Sequence, residues 1–215
     1  MTSEPGYIPA MGSHRLTQFY DPFIRLTVRE REFKSHLIEL AHIEPGARVL
    51  DIGCGTGTLG IMTKQACPSA LVVGLDADPE IIAIARQKAE HAHVAVEWHV
   101  GRADAPPFAS ESFDRIFSTL AFHHLTTAEK KRALARARDL LRSRGELYIV
   151  DFGPPQNLLM RLVSVPASIL GGEHLAGNLQ GRIPAMMKDA GFCAAEEIDK
   201  RMTIFGSLWF YRALK

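Results

Sequence analysis

The sequence predicts one α/β domain, a mostly parallel sheet with helices on both faces. Three observations predict it. Short apolar runs that read as strands alternate with segments of helical spacing. Some of those runs, such as Leu71–Asp76 (LVVGLD), are almost wholly apolar, as strands covered on both faces are. The chain has 215 residues, 47% hydrophobic and 23% charged, which suits one globular domain with at most a small lid.

The elements follow in order. Residues 16–43 precede the first strand and carry Phe19, Phe23, Leu26, Phe33, Leu37 and Leu40 at helical spacings. Strands are expected at Val49–Gly53, Leu71–Asp76, Val94–Val100, Arg115–Leu120 and Glu146–Phe152. Helices are expected between them at Leu59–Cys67, Pro79–His91 and Ala128–Arg142. Pro79 stands at a helix start, where its missing N–H costs little, and Asp78 before it suits an N-cap. Gly145 reads as the residue closing the third helix. Glu196–Ile204 and Ser207–Leu214 read as two strands joined at Phe205-Gly206, a hairpin finish. The resulting division is an arm and helical cap over residues 1–43, then a main domain over 44–215. A second cap is inserted at about 154–183, where Pro154, Pro155, Pro166, Gly171 and Gly172 break the alternation.

The charge balance is even, 25 Lys and Arg against 24 Asp and Glu, so no global field recruits nucleic acid. The basic run Lys130–Arg144 sits on an amphipathic helix and reads as a solvated face. Three cysteines are too few and too scattered for a disulfide framework or a zinc site, and no metal is expected. No apolar run approaches the ~20 residues of a membrane span. Met1–Met11 lacks the pattern of a signal peptide and reads as a flexible arm, and the sparse cysteines fit a reducing cytoplasm.

The segment that carries chemistry is Val49–Gly57 (VLDIGCGTG). Glycines let a strand-to-helix loop turn sharply and approach a ligand, and the helix N–H groups beyond it favour an anion. The spacing is G-x-G-x-G, not the G-x-G-x-x-G of dinucleotide binders. Asp51, inside the strand, suits an ammonium group and would repel a pyrophosphate. Asp76, ending the second strand, is placed to accept from two ribose hydroxyls.

These residues resemble the class I S-adenosylmethionine (SAM)-dependent methyltransferases. VLDIGCGTG with GLDADPEIIAIAR is similar to the family's first motif and the acidic strand end after it. Arg102–Phe108 (RADAPPF) resembles its G-D-A-x-x-L/P-F segment, and Ser112–Leu125 its fourth strand and loop. Leu140–Phe152 resembles its L-L-K-P-G-G-x-L-x-I-x-D stretch, with Ser143-Arg144-Gly145 where Pro-Gly-Gly is usual. Ala190-Gly191-Phe192 resembles the A-G-F before its sixth strand.

The resemblance implies a Rossmann-like three-layer sandwich around a seven-stranded sheet of order 3-2-1-4-5-7-6, strand 7 antiparallel. It implies SAM as cofactor and S-adenosylhomocysteine as product. Gly53, Cys54, Gly55 and Gly57 would form the loop beside the methionine part, with Asp51 near its amino group. Asp76 would hold the ribose and Ala77 the adenine. Ala103 and Asp104 would frame the adenine edge, and Thr119 or Leu120 would close the pocket near the sulfonium. Phe19–Pro22 resembles a segment of quinone C-methyltransferases and phospholipid N-methyltransferases that folds over SAM, which brings in Tyr20 for cofactor or substrate.

Methyl transfer from a sulfonium needs alignment and exclusion of water, and a base only if the acceptor must lose a proton. His123 and His124, after strand four, are the candidates for that base, His124 slightly ahead; packing beside the cofactor is the alternative reading. His174 and Asn178 in the second cap are candidate substrate contacts, together with His124. The apolar content of that cap suggests a hydrophobic acceptor or a homodimer face. The expected function is methylation of a small molecule, such as a quinone precursor, a lipid amine or a secondary metabolite. The alternative is an RNA or protein methyltransferase, against which stand the even charge and the absence of an N-P-P-Y-like tetrapeptide after strand four. A nicotinamide enzyme is disfavoured by the loop spacing and Asp51.

Overall fold

The computed structural model describes residues 29–162 and 172–215. Seven strands form one sheet of order β3-β2-β1-β4-β5-β7-β6. They are β1 (Arg48–Ile52), β2 (Leu71–Asp76), β3 (Glu97–Val100), β4 (Phe113–Thr119), β5 (Leu141–Gly153), β6 (Ala194–Thr203) and β7 (Gly206–Leu214). Strands β1 to β5 are parallel, and β7 runs antiparallel to both β5 and β6. This is the expected sandwich and strand order. The helices are α1 (Glu30–Ala41), α2 (Thr58–Ala66), α3 (Pro79–His91), α4 (Thr127–Leu140), α5 (Gly172–Leu179) and α6 (Ile183–Asp189), with a 3-10 turn at Phe122–His124. Among the described residues, no helix is long and apolar enough to cross a membrane.

The period-two geometry of the strands splits the core into two faces. Val49, Val72, Phe117, Tyr148 and Phe210 meet α1 and α2 on one side through Phe33, Leu37 and Leu59. Leu50, Leu75, Ile116, Leu147 and Ile149 meet α4 and α6 on the other through Leu134, Leu140 and Met187. Each such fully buried side chain contributes about 1.5–3 kcal/mol of apolar transfer energy. A smaller cluster seats Trp98 of β3 against Cys54, Ile61, Ile82 and Ala85, fixing the glycine loop to α2 and α3. Met186 and Met187 are core residues.

Local signals explain most boundaries. Asp78 caps α3 by accepting from the Glu80 and Ile81 amides at 2.8 and 3.4 Å, with Pro79 at the first helical position. Thr126 and Glu129 form a reciprocal capping box on α4. Three expectations are corrected. Gly145 does not close α4: the helix ends at Leu140, Leu141 already pairs with Phe113, and the left-handed residue of the turn is Arg144, at φ 63°. The third strand begins at Glu97 rather than Val94, because His93 turns left-handed at φ 52° and the Val94 amide still donates to Ala89. Lys130 is not on a solvated face: it is fully buried and its ammonium donates to the His174 carbonyl.

Candidate active site

Ligands of open α/β sheets bind beyond the carboxyl ends of the strands. A cavity of about 170 Å³ lies there in this chain. Its walls include Ile52 to Thr56 after β1, Asp76 and Ala77 after β2, Gly101 to Asp104 after β3, and Ser118 to Phe122 after β4. His124, Leu125 and Glu129 complete one side, and Glu30 and Lys34 of α1 the other.

The glycine loop holds itself. The Gly53 and Cys54 amides donate to the Leu75 carbonyl at 2.8 and 3.1 Å, and the Gly57 amide to Cys54 at 3.1 Å. The Gly55 amide donates to the Asp76 carboxylate at 2.9 Å. The amides of Gly53, Cys54, Gly55 and Gly57 are therefore already engaged. Gly55 has φ +54°, and a Cβ there would meet nothing within 4 Å, so the backbone at this point opens on the cavity. Gly57 is required for a different reason: at φ +79° its Cβ would stand 2.4 Å from Trp98.

Asp76 also accepts from the Asp78 amide at 3.1 Å, which fixes its carboxylate at the mouth of the cavity. Burial raises its pKa, opposed by those amide bonds. Asp51 is 1% exposed, and among the described residues neither of its oxygens has a hydrogen-bond donor. Burial pushes its carboxyl up to about 7, with Lys34 pulling down and Asp76 adding to the rise. Cys54 is buried in the same spot, and its thiol is pushed up, first by burial and then by Asp51 and Asp76. It stays a protonated, unreactive packing group.

Asp104 stands at the opposite end. Arg102 and Arg132 both donate to it, at 3.0 and 2.9 Å. Its limited burial raises the carboxyl, but the two guanidiniums outweigh that and hold it below the ordinary value. Ala77 and Ala103 line the cavity beside it. At the end of β4, Thr119 and Leu120 line the wall, and Leu120 has φ +53°. A left-handed leucine is strained backbone of the kind that collects at functional sites.

His124 lines the cavity and His123 does not; their ring centroids lie 4.0 Å apart, the rings tilted by 42°. Burial lowers the His124 pKa to about 4, so its ring is neutral near pH 7. His123 has a partner that the sequence pattern did not assign. The fully buried Asp151 of β5 lies 2.7 Å from its Nδ1 and also accepts from its amide at 3.0 Å. Burial favours the neutral acid at Asp151, but the attraction to His123 and two amide bonds hold its pKa below the usual range. An ionised Asp151 puts the proton on Nδ1 and leaves the His123 Nε2 lone pair as a proton acceptor.

His174 and Asn178 lie on α5, which packs on β5, the 3-10 turn and α4. Neither lines the cavity, although the charge of His174 would act on His124. Among the described residues, His174 Nδ1 and both polar atoms of the fully buried Asn178 have no partner. Arg29 is exposed and pairs with Glu32 at 2.8 Å, on a solvated face. Tyr20 lies outside the described residues.

A model of a methyltransferase domain matches residues 49–145, from the first residue of the glycine-loop motif to the start of β5's apolar run. Over these residues the chain is similar to methyltransferases, in line with its resemblance to the class I SAM-dependent family. Relatives of the chain include the demethylmenaquinone methyltransferase of Thermus thermophilus, 36% identical over 57% of this chain and 55% of that protein. The ubiquinone/menaquinone biosynthesis C-methyltransferase of Shewanella frigidimarina is 29% identical over 86% of this chain and 80% of its own length. The chain spans about half the length of several curated relatives it matches. Among solved structures, phosphoethanolamine N-methyltransferase 2 of Haemonchus contortus, in complex with phosphomonomethylethanolamine and S-adenosylhomocysteine, matches at a TM-score of 0.69. It is 17% identical and covers 86% of this chain and 52% of that one, a likeness of fold.

The similarity implies SAM, and the residues present fit it. A buried carboxylate without a donor suits an ammonium, an open glycine backbone admits a ligand, and a fixed carboxylate at the end of β2 suits a diol. Glu30, Lys34 and Asp151 were missed from sequence. Glu30 and Lys34 share the helix stripe of Phe33, Leu37 and Ala41, and that phase was the available signal.

Proposed function

We propose that this methyltransferase moves a methyl group from SAM to a small aromatic acceptor of the quinone-precursor kind. The observation that carries the reading is the donorless Asp51 carboxylate beside the open Gly55 backbone and the fixed Asp76, at the carboxyl ends of β1 and β2. The names of the relatives, several of them quinone methyltransferases, support the acceptor class.

Bound in this cavity, SAM supplies a methyl group on a sulfonium, which needs no further activation. The chain's residues then hold and orient. Asp76 accepts from the ribose hydroxyls, Ala77, Ala103 and Asp104 face the adenine, and Gly53 to Gly57 pass beside the methionine part. Thr119, Leu120 and Phe122 exclude water from the reacting end. His124, neutral near pH 7, hydrogen-bonds the acceptor. His123, oriented by Asp151, takes the proton that a phenolic hydroxyl loses as its ring becomes nucleophilic. This reverses the order expected from sequence, because a ring with a pKa near 4 is a poor proton acceptor. The unpaired polar atoms of His174 and Asn178 belong to the acceptor side.

A methyl-transfer screen with labelled SAM across reduced quinone precursors, amines, thiols and simple phenols tests this. Label is expected in reduced quinone precursors. Transfer to amines or thiols alone would overturn the acceptor class.

A further inference from the structure

Leu158, Leu159 and Leu162 are 74%, 63% and 65% exposed, and Met202 and Ile204 are 59% and 65% exposed. The two groups lie far apart in sequence, yet Asn157 joins them. Its Oδ1 accepts from the Met160 amide at 2.9 Å, which starts the helical turn of residues 158–162. Its Nδ2 lies 3.3 Å from the Met202 sulfur. The Gln156 amide donates to Ser207 Oγ at 3.3 Å, on the other strand of the same hairpin. Met160 is buried and anchors the turn, so the leucines around it face outward.

Single exposed apolar side chains are ordinary, but five gathered from two segments are not. The fold also puts them at a particular edge. β5 and β6 both run antiparallel to β7, so β6 points the same way as β5. The chain leaving β5 and the tip of the β6–β7 hairpin therefore lie at the carboxyl ends of the strands, the edge that carries the cavity. Charge sets what this surface can meet. From 152 to 162 and from 200 to 207 the chain has no Asp or Glu, and it carries Arg161, Lys200 and Arg201. Arg161 is exposed and has no carboxylate partner among the described residues. Lys200 is exposed, its ammonium 4.8 Å from the centre of the Trp209 ring. Arg201 shares Asp199 with His36.

A second copy of the chain fits this surface poorly, because a two-fold contact would lay together two patches that carry cations and no carboxylate. An anionic bilayer surface fits both features. The leucines can enter the boundary between headgroups and acyl chains while the cations meet lipid phosphates. We infer that Leu158, Leu159, Leu162, Met202 and Ile204, with Arg161 and Lys200, dock the protein on an anionic lipid surface. Docked so, the edge of the sheet that carries the cavity lies next to the bilayer. The inference is independent of which acceptor the enzyme methylates.

The test is cosedimentation of the full chain with vesicles of phosphatidylcholine and phosphatidylglycerol in equal parts, and with vesicles of phosphatidylcholine alone. Wild type should bind the mixed vesicles about tenfold or more tightly than the neutral ones, since each lysine or arginine near such a surface is worth about fivefold. Leu158→Ser combined with Leu162→Ser should weaken binding to the mixed vesicles by at least about tenfold, with the melting temperature unchanged. Arg161→Gln should lower the preference for the mixed vesicles about fivefold. Leu71→Ser is the control: Leu71 is 59% exposed at the start of β2, on the opposite edge of the sheet, and this variant should bind as wild type does. No binding to the mixed vesicles, equal binding to both kinds, or an equal loss in the Leu71 variant would overturn the inference. So would a wild type that is dimeric by sedimentation equilibrium and becomes monomeric in the leucine variant without any change in vesicle binding, because the face would then join two copies. Should the double variant not fold, Ile204→Ser on the hairpin carries the same test, and unchanged binding refutes.

Discussion

Replacing Asp51 by asparagine should make the ligand-free protein more stable, and increasingly so as pH rises. Asp51 is completely buried without a donor among the described residues, and burial pushes its carboxyl from 3.8 up to about 7. Lys34 on α1 counteracts that rise, while Asp76 on β2 adds to it; Glu30 and Cys54 are the other ionisable groups at this spot. Between pH 3.8 and 7 the unfolded chain has released this proton while the native state still holds it, so stability falls with rising pH. At about 1.4 kcal/mol per pKa unit the loss approaches roughly 4 kcal/mol once pH exceeds 7. The amide of the Asp51→Asn variant never ionises and escapes it. Urea denaturation of both proteins at pH 4 and pH 8 reads the effect directly. The advantage of the variant should grow between the two by about 2–4 kcal/mol, or roughly 10 °C in Tm. The change between the two pH values is the observable, since any constant offset from the amide cancels. An advantage that does not vary with pH, or a variant that is less stable at pH 8, would refute the reasoning. The same variant should lose SAM affinity, because the carboxylate that burdens the fold is the one the ammonium needs.

Other outcomes follow from the same geometry. Asp76→Ala should weaken SAM by more than about a hundredfold, since two charge-assisted hydrogen bonds are lost at roughly 1.5–3 kcal/mol each. His124→Ala should change SAM affinity less than about threefold while lowering turnover on a true acceptor, and equal losses of SAM affinity in the two variants would exclude the ribose role of Asp76. Asp151→Asn should leave SAM binding nearly unchanged, cut turnover by more than about tenfold, and move the pH profile of kcat, as expected for a base that loses its orienting carboxylate; an unmoved profile counts against the dyad. Gly57→Ala should destabilise the fold by about 2–4 kcal/mol, because a left-handed backbone and a clash with Trp98 coincide. Thermal melts showing no loss would mean that Trp98 yields freely.

The sequence was most legible where one local signal decides an element. Pro79–His91 is framed by an N-capping Asp78 and a proline, and the helix lies where those residues place it. LVVGLD is a strand because its residues are buried on both faces. Less legible were positions where tertiary contacts outrank local ones. Gly145 looked like a helix cap, yet Leu141 had already left the helix to pair with Phe113. Lys130 looked solvated, yet α5 covers it. Around the cavity, the lining residues Asp76, Ala77, Ala103, Asp104, Thr119 and Leu120 could be named from their distance to strand ends. Lys34 and Glu30 could not, because charged residues on an amphipathic helix ordinarily face water. Asp151 lay hidden within a strand, its partnership with His123 formed across 28 residues of sequence.

The central claim is that this cavity takes SAM. Calorimetric titration of the wild-type chain with SAM, and separately with NADH, tests it most directly. The account predicts micromolar-range binding of SAM, lost in Asp76→Ala, and no binding of NADH. Binding of NADH without SAM would contradict it.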